Sequence, residues 1–170
     1  LSAQVADVLL ERALGAVGRV LADAVEQQAS ALKADGLTLV YHFHDYEWVR
    51  AGGDYAMRLL LEHAPTLTVQ PDVHWLAAAG FTPQDKLHDM AGRYEYVHMQ
   101  DYAMLWDEET GRIARQTVPV GSGNLNLPAI VKACRADGAR LFVIEQDDCQ
   151  KDELESIADS VRTMRMLGVE

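Results

Sequence analysis

Four stretches of this chain end in side chains that bind metal ions or move protons. The segment "YHFHDYE" delivers His42, His44, Asp45 and Glu47, and "QPDVHW" delivers Asp72 and His74. The segment "YVHMQD" delivers His98, Gln100 and Asp101, and "VIEQDD" delivers Glu145, Asp147 and Asp148. Residues two apart share one face of a strand. On that parity His42 lies with His44, Asp72 with Thr68 and Gln70, His98 with Tyr94, Tyr96 and Gln100, and Glu145 with Leu141 and Val143. If these faces turn inward together, His42, Asp72, His98 and Glu145 meet at one point. Two imidazoles and two carboxylates suit one divalent cation: Mn²⁺, Co²⁺, Fe²⁺, Zn²⁺ or Mg²⁺. One such residue at a strand end is ordinarily just solvated or hydrogen-bonded, so the inference rests on the recurrence. His63 and His88 fall on helices and are read as ordinary surface residues.

The elements that must position these groups alternate along the chain. Apolar residues Val17, Val20, Leu21, Ala24, Val25 and Leu32 follow helical spacing over 16–34, closed by Asp35-Gly36. Residues 1–14 also read as helix, with Gly15 and Gly18 weakening continuity. Strands are expected at Leu37–His44, Leu67–Asp72, Tyr94–Gln100 and Leu141–Gln146. Helices are expected near Tyr55–His63, Pro83–Ala91, Pro128–Ala136 and Lys151–Leu167, with Asn126 capping the third of these. The segments "DYEWVRAGGD", "VHWLAAAGFTP" and 101–127 read as loops. Glycines in "VGSGNLNLP" (120–128) would let backbone N–H groups approach a ligand, although no phosphate-loop lysine accompanies them.

Strand–helix alternation implies an α/β fold of parallel (β/α) units, in which active sites sit at the C-terminal strand ends. A closed eight-stranded barrel takes about 250 residues. A chain of 170 residues with four such strands reads as one partial barrel domain, a helix over 16–35 and then four βα units, about half of a TIM barrel. The exposed edge calls for a missing N-terminal half, a homo-oligomeric partner, or an open layer.

About half of the residues are hydrophobic and 24 % are charged, as expected for a globular domain. The formal net charge of -11 repels phosphate backbones, so nucleic acid is an unfavourable partner. No apolar run reaches the ~20 residues that span a bilayer, so no membrane partner is expected. Cys134 and Cys149 are too few for a disulfide framework and lack zinc-site spacing, which fits a reducing cytoplasm.

"LTLVYHFHDYEW" (37–48) resembles the "GYHNHxxEF" segment of the sugar phosphate isomerase/epimerase-like barrels, the xylose isomerase-like superfamily that includes inosose dehydratase and inosose isomerase. "VQPDVHWLAAAGFTP" (69–83) resembles its "LDxxWxxxAGxDP", and "GRYEYVHMQD" (92–101) its "GRIxxxHxKD". "VGSGNLNLPAIVKACRADGARLFVIEQDD" (120–148) resembles "VGxGxIDFPxIxxAxxxAGxxxxxVExD". The segments occur in family order from about residue 16 onward and correspond to the C-terminal half. The resemblance implies one divalent metal held by Asp72, His98 and Glu145, with a fourth ligand from the first strand. That ligand is Glu in epimerase-type members. Here His42 holds the place, with His44 and Glu47 as alternatives.

The implied chemistry is proton transfer next to a carbonyl of a small sugar or polyol. Glu145, Glu47 and His44 are the candidate catalytic groups. His74, Trp75 and Gln100 are the candidate substrate contacts; Gln100 stands where a Lys is common. Isomerisation, epimerisation and dehydration share this first step. Two other readings compete: an endonuclease-IV-type metal hydrolase, which the acidic charge disfavours, and an inactive or partner-dependent half-barrel subunit.

Overall fold

The computed structural model describes residues 3–51 and 53–169, with side chains from Gly15 onward. The chain divides into two compact units, Leu1–Val69 and Gln70–Glu170.

The first unit opens with one continuous helix, α1 (Ala3–Ala34). Gly15 and Gly18 do not interrupt it, because a glycine inside a helix costs only about 1 kcal/mol relative to alanine. Gly36, at a φ of 77°, ends it as expected, and the Leu37 N–H returns to the Leu32 carbonyl. Strand β1 (Val40–His42) pairs with β4 (Thr68–Gln70), both shorter than the sequence suggests. Between them lie a 3-10 turn over 46–48, a small antiparallel ribbon of β2 (Arg50–Ala51) and β3 (Asp54–Tyr55), and helix α2 (Ala56–His63). Phe43, Trp48, Met57 and Leu67 fill this core, with the Phe43 and Trp48 rings edge to face at 5.5 Å. Glu26 on α1 accepts the Thr66 N–H at 2.8 Å and so anchors the approach to β4.

The second unit is built on a parallel pair, β5 (Tyr96–Met99) and β8 (Leu141–Ile144), in register from Tyr96↔Leu141 to Met99↔Ile144. Val97 and Met99 are fully buried and alternate with the more exposed Tyr96 and His98, the pattern of a strand with one face on the core. Helices α3 (Val73–Ala78), α4 (Pro83–Leu87), α5 (Leu127–Ala136) and α6 (Glu153–Met166) complete the unit. Asn126 caps α5 as expected, accepting the Ala129 N–H. Helix α3 replaces the expected loop after the second strand; its start is set by Asp72. Among the described residues, no helix is long and apolar enough to cross a membrane.

The segment 101–127 is not the long loop expected. It forms an antiparallel hairpin, β6 (Asp101–Asp107) and β7 (Arg112–Val118), turning through 108–111. Asp107 accepts the Glu109 and Thr110 N–H groups at the turn, and Gly111 supplies a φ of 65°. The glycine-bearing segment that follows is likewise committed internally. The buried Asp101 carboxylate accepts N–H groups from Tyr102, Gly121, Gly123 and Leu125 at 2.9–3.2 Å. The anion in this backbone cradle is the chain's own side chain rather than a bound ligand.

A Cβ at Gly123 would lie 2.3 Å from both Asp101 Oδ1 and the Tyr102 carbonyl oxygen. Gly123→Ala should therefore cost about 2–4 kcal/mol of unfolding free energy, read as a lowered urea midpoint with little change in slope.

Candidate metal centre

Three of the sequence-derived ligands lie in the second unit, and backbone pairing sets their heights. The His98 N–H donates to the Pro71 carbonyl at 2.8 Å, and Asp72 forms an isolated parallel bridge with His98. The Glu145 N–H donates to the Met99 carbonyl at 3.2 Å, continuing the β5–β8 ladder by one residue. Three strand ends thus deliver Asp72, His98 and Glu145 side by side, with candidate ligand atoms within 4.8 Å of one another. His98 Nδ1 contacts Glu145 Oε2 directly and stands 3.9 Å from Asp72 Oδ2.

Asp72 has no solvent exposure, and its two oxygens differ. Oδ1 accepts the His74 and Trp75 N–H groups at 2.7 and 3.0 Å, capping α3. Oδ2 is buried with no hydrogen-bond partner. Burial pushes the Asp72 carboxyl up to about 8, the Glu145 and Asp147 charges add to the rise, and the two capping N–H groups oppose it. A buried carboxylate oxygen without a donor is costly unless a proton or cation meets it. An imidazole and a second carboxylate beside it make a donor set that fits a small divalent ion. Glu145 keeps 36 % of its side chain exposed, so it faces both this cluster and solvent.

The other candidates divide between the units. His74 is buried, with its ring edge to face with Trp75 at 4.7 Å and with Tyr102 at 5.4 Å. The Gln100 carboxamide is fully buried, and neither its oxygen nor its nitrogen has a hydrogen-bond partner. In the first unit, His42 ends β1 and is half-buried, its ring 4.9 Å from that of His44. His44 stacks on Tyr46, and Glu47 is engaged locally, accepting the Tyr41 hydroxyl at 2.7 Å and the His44 N–H at 2.9 Å. Burial, and then Glu47, raise the Tyr41 hydroxyl above its ordinary range, so this hydroxyl stays a donor.

A cavity of about 510 Å³ in the second unit contains residues that the sequence reading passed over. His74, Trp75 and Asp147 line it together with Asp107, Arg115, Gln116 and Thr117 of the hairpin. Alternation in "RIARQTV" was the available signal for β7, but its polar residues resemble those of a loop.

No protein-family model and no curated sequence matches the chain. Solved structures do. A sugar phosphate isomerase/epimerase from Parabacteroides distasonis ATCC 8503 superposes with a TM-score of 0.72 at 20 % identity, over 87 % of this chain and 53 % of that one. This is the fold of about half a TIM barrel. A xylose isomerase-like barrel protein from Mycobacterium smegmatis, solved in complex with magnesium, matches the half-barrel with a TM-score of 0.66 at 14 % identity, over 91 % and 51 % of the two chains. An L-ribulose 3-epimerase matches with a TM-score of 0.64 at 17 % identity, over 89 % and 54 %. The chain spans about half the length of the solved structures it matches.

Asp72 gives this centre a definite pH response. Its folded-state carboxyl titrates near 8, above its ordinary 3.8, so the metal-free fold keeps a proton that the unfolded chain releases. That stabilising contribution is complete below about pH 4 and is lost as pH rises through about 8. A cation must displace the same proton, so Mn²⁺ affinity should climb about tenfold per pH unit up to about pH 8 and then level. Asp72→Asn keeps the cap acceptor and removes the charge. It should raise metal-free stability by roughly 1–3 kcal/mol at pH 8.5, give no gain near pH 4, and abolish Mn²⁺ binding in calorimetry.

Proposed function

We propose that this chain carries the metal-binding half of a sugar or polyol isomerase, epimerase or dehydratase that moves a proton next to a carbonyl. The observation carrying the proposal is the convergence of Asp72, His98 and Glu145 ligand atoms within 4.8 Å, at the strand ends where barrel enzymes hold their sites. These three residues would hold one divalent ion, Mn²⁺, Co²⁺, Fe²⁺, Zn²⁺ or Mg²⁺. His42 is the proposed fourth donor on the strength of its place at the end of β1. His44 and Glu47 are the alternatives, and the Tyr41 and His44 hydrogen bonds make Glu47 the less available.

A bound divalent ion supplies Lewis acidity toward adjacent substrate oxygens. The chain's own residues do the rest. Glu145, part-exposed and one residue past β8, is the proposed base that takes and returns the proton. Glu47 and His44 are the further acid–base candidates from the first unit. His74 and Trp75 sit on the first turn of α3 and would orient the substrate, His74 as a hydroxyl partner and Trp75 as an apolar wall. The Gln100 carboxamide, buried with both polar atoms unsatisfied, is suited to a substrate hydroxyl or an ordered water.

A second reading is a partner-dependent half-barrel, favoured by the twofold length of the matching structures. It differs in requiring a second chain before metal is bound.

Purified protein loaded with Mn²⁺ in D₂O should exchange the α-proton of at least one ketose or inosose, followed by NMR. Glu145→Gln should slow exchange by about 10²-fold or more, and His98→Ala should lower metal content by at least about tenfold. A metal-loaded, folded sample that exchanges no substrate would count against the proposal. Metal uptake seen only in a sample whose sedimentation mass is a dimer or larger would favour the second reading.

A further inference from the structure

The cavity beside His74 and Trp75 bears on which sugars this site would take, and the inference rests on the function proposed above. Its walls come from two places. One is the hairpin, through Asp107, Glu109, Arg115, Gln116 and Thr117, and the other is the segment after β8, through Asp147, Asp148 and Gln150. Thr117 joins the two: its hydroxyl donates to the Asp148 carbonyl at 2.8 Å, and its Oγ1 stands 3.1 Å from the Asp148 nitrogen. The cavity borders the metal centre at α3: His74 and Trp75 line it, and their N–H groups hold Asp72.

The charge in this cavity is one-sided. Four carboxylates face one guanidinium, and the Arg115 guanidinium already lies over the Tyr102 ring at 5.8 Å. A phosphate or carboxylate entering here would meet several like charges at short range, a repulsion that is strongest at low salt. A neutral polyol meets the opposite situation. Carboxylates accept paired hydroxyls, the Gln116 and Gln150 carboxamides both donate and accept, and Trp75 offers a ring face for the C–H side of a sugar.

We propose that this cavity takes the distal part of an uncharged polyhydroxy substrate and turns away its phosphate ester, with Asp147 and Asp148 as the specificity-determining side chains. Both are exposed, and the contact to Thr117 uses only the Asp148 backbone, so amide substitutions there leave the fold's hydrogen bonds in place.

The test uses the intact chain with Mn²⁺ bound, its metal content measured first. Free ketoses and their terminal phosphate esters are titrated while tryptophan fluorescence and calorimetric heat are followed at low and high salt. The free sugar should bind at least tenfold more tightly than its ester at low salt, and the gap should shrink as salt rises. Asp147→Asn/Asp148→Asn should narrow the gap severalfold, mainly by improving ester binding. An ester that binds as tightly as the free sugar, or a gap unchanged in the double variant, overturns the proposal. If Mn²⁺ is held and neither class of sugar binds, this proposal fails while the metal centre stands. If Mn²⁺ is not held, the failure belongs to the metal centre.

Discussion

A single carboxylate sealed from water organises the strand-end chemistry of this molecule. Asp72 splits its two oxygens between different tasks. One starts a helix, and the other is left in a dry place with nothing to accept. The fold tolerates that second oxygen because a proton or a cation can neutralise it. His98 and Glu145 stand beside it, because main-chain bonds at Pro71 and Met99 fix how far each strand advances. The site's geometry is therefore a property of backbone pairing rather than of flexible loops.

A second carboxylate does comparable work with the opposite solution. Asp101 is also fully buried, but four backbone donors satisfy it. They draw residues 121–125 onto the root of the hairpin, and Gly123 leaves room for that approach. Two adjacent strand ends thus carry buried acids, one saturated with hydrogen bonds and one left short of them. The contrast separates a structural acid from a candidate ligand more sharply than residue type does.

Much of this was legible in the sequence. The four principal strands, their order and the main helices followed from β-branched runs, helical spacing and the Asp-Gly and Asn-Leu-Pro boundaries. Asp72, His98 and Glu145 stood out because the same kind of residue recurred at successive strand ends. Two things were hidden. Helix α3 is six residues long, and its cap was read only as a ligand, whereas Asp72 serves as a cap through Oδ1. The hairpin was hidden because Met104, Leu105, Trp106 and Ile113 are exposed, which blurs the in–out alternation that marks a strand. Asp101 was the overlooked organiser: nothing local reveals that a carboxylate will claim amides twenty residues downstream.

The division of labour within Asp72 also constrains the size of ion the centre would accept. With Oδ1 saturated by two amides, the residue can present only one oxygen, in a direction fixed by the first turn of α3. Large cations such as calcium gather six to eight oxygens and often chelate a carboxylate through both atoms. A one-toothed, immobile donor beside an imidazole would instead suit smaller ions that bond at shorter range, such as magnesium and the first-row transition metals. On this reasoning the helix cap would act as a size filter against calcium at any cation site built on Asp72.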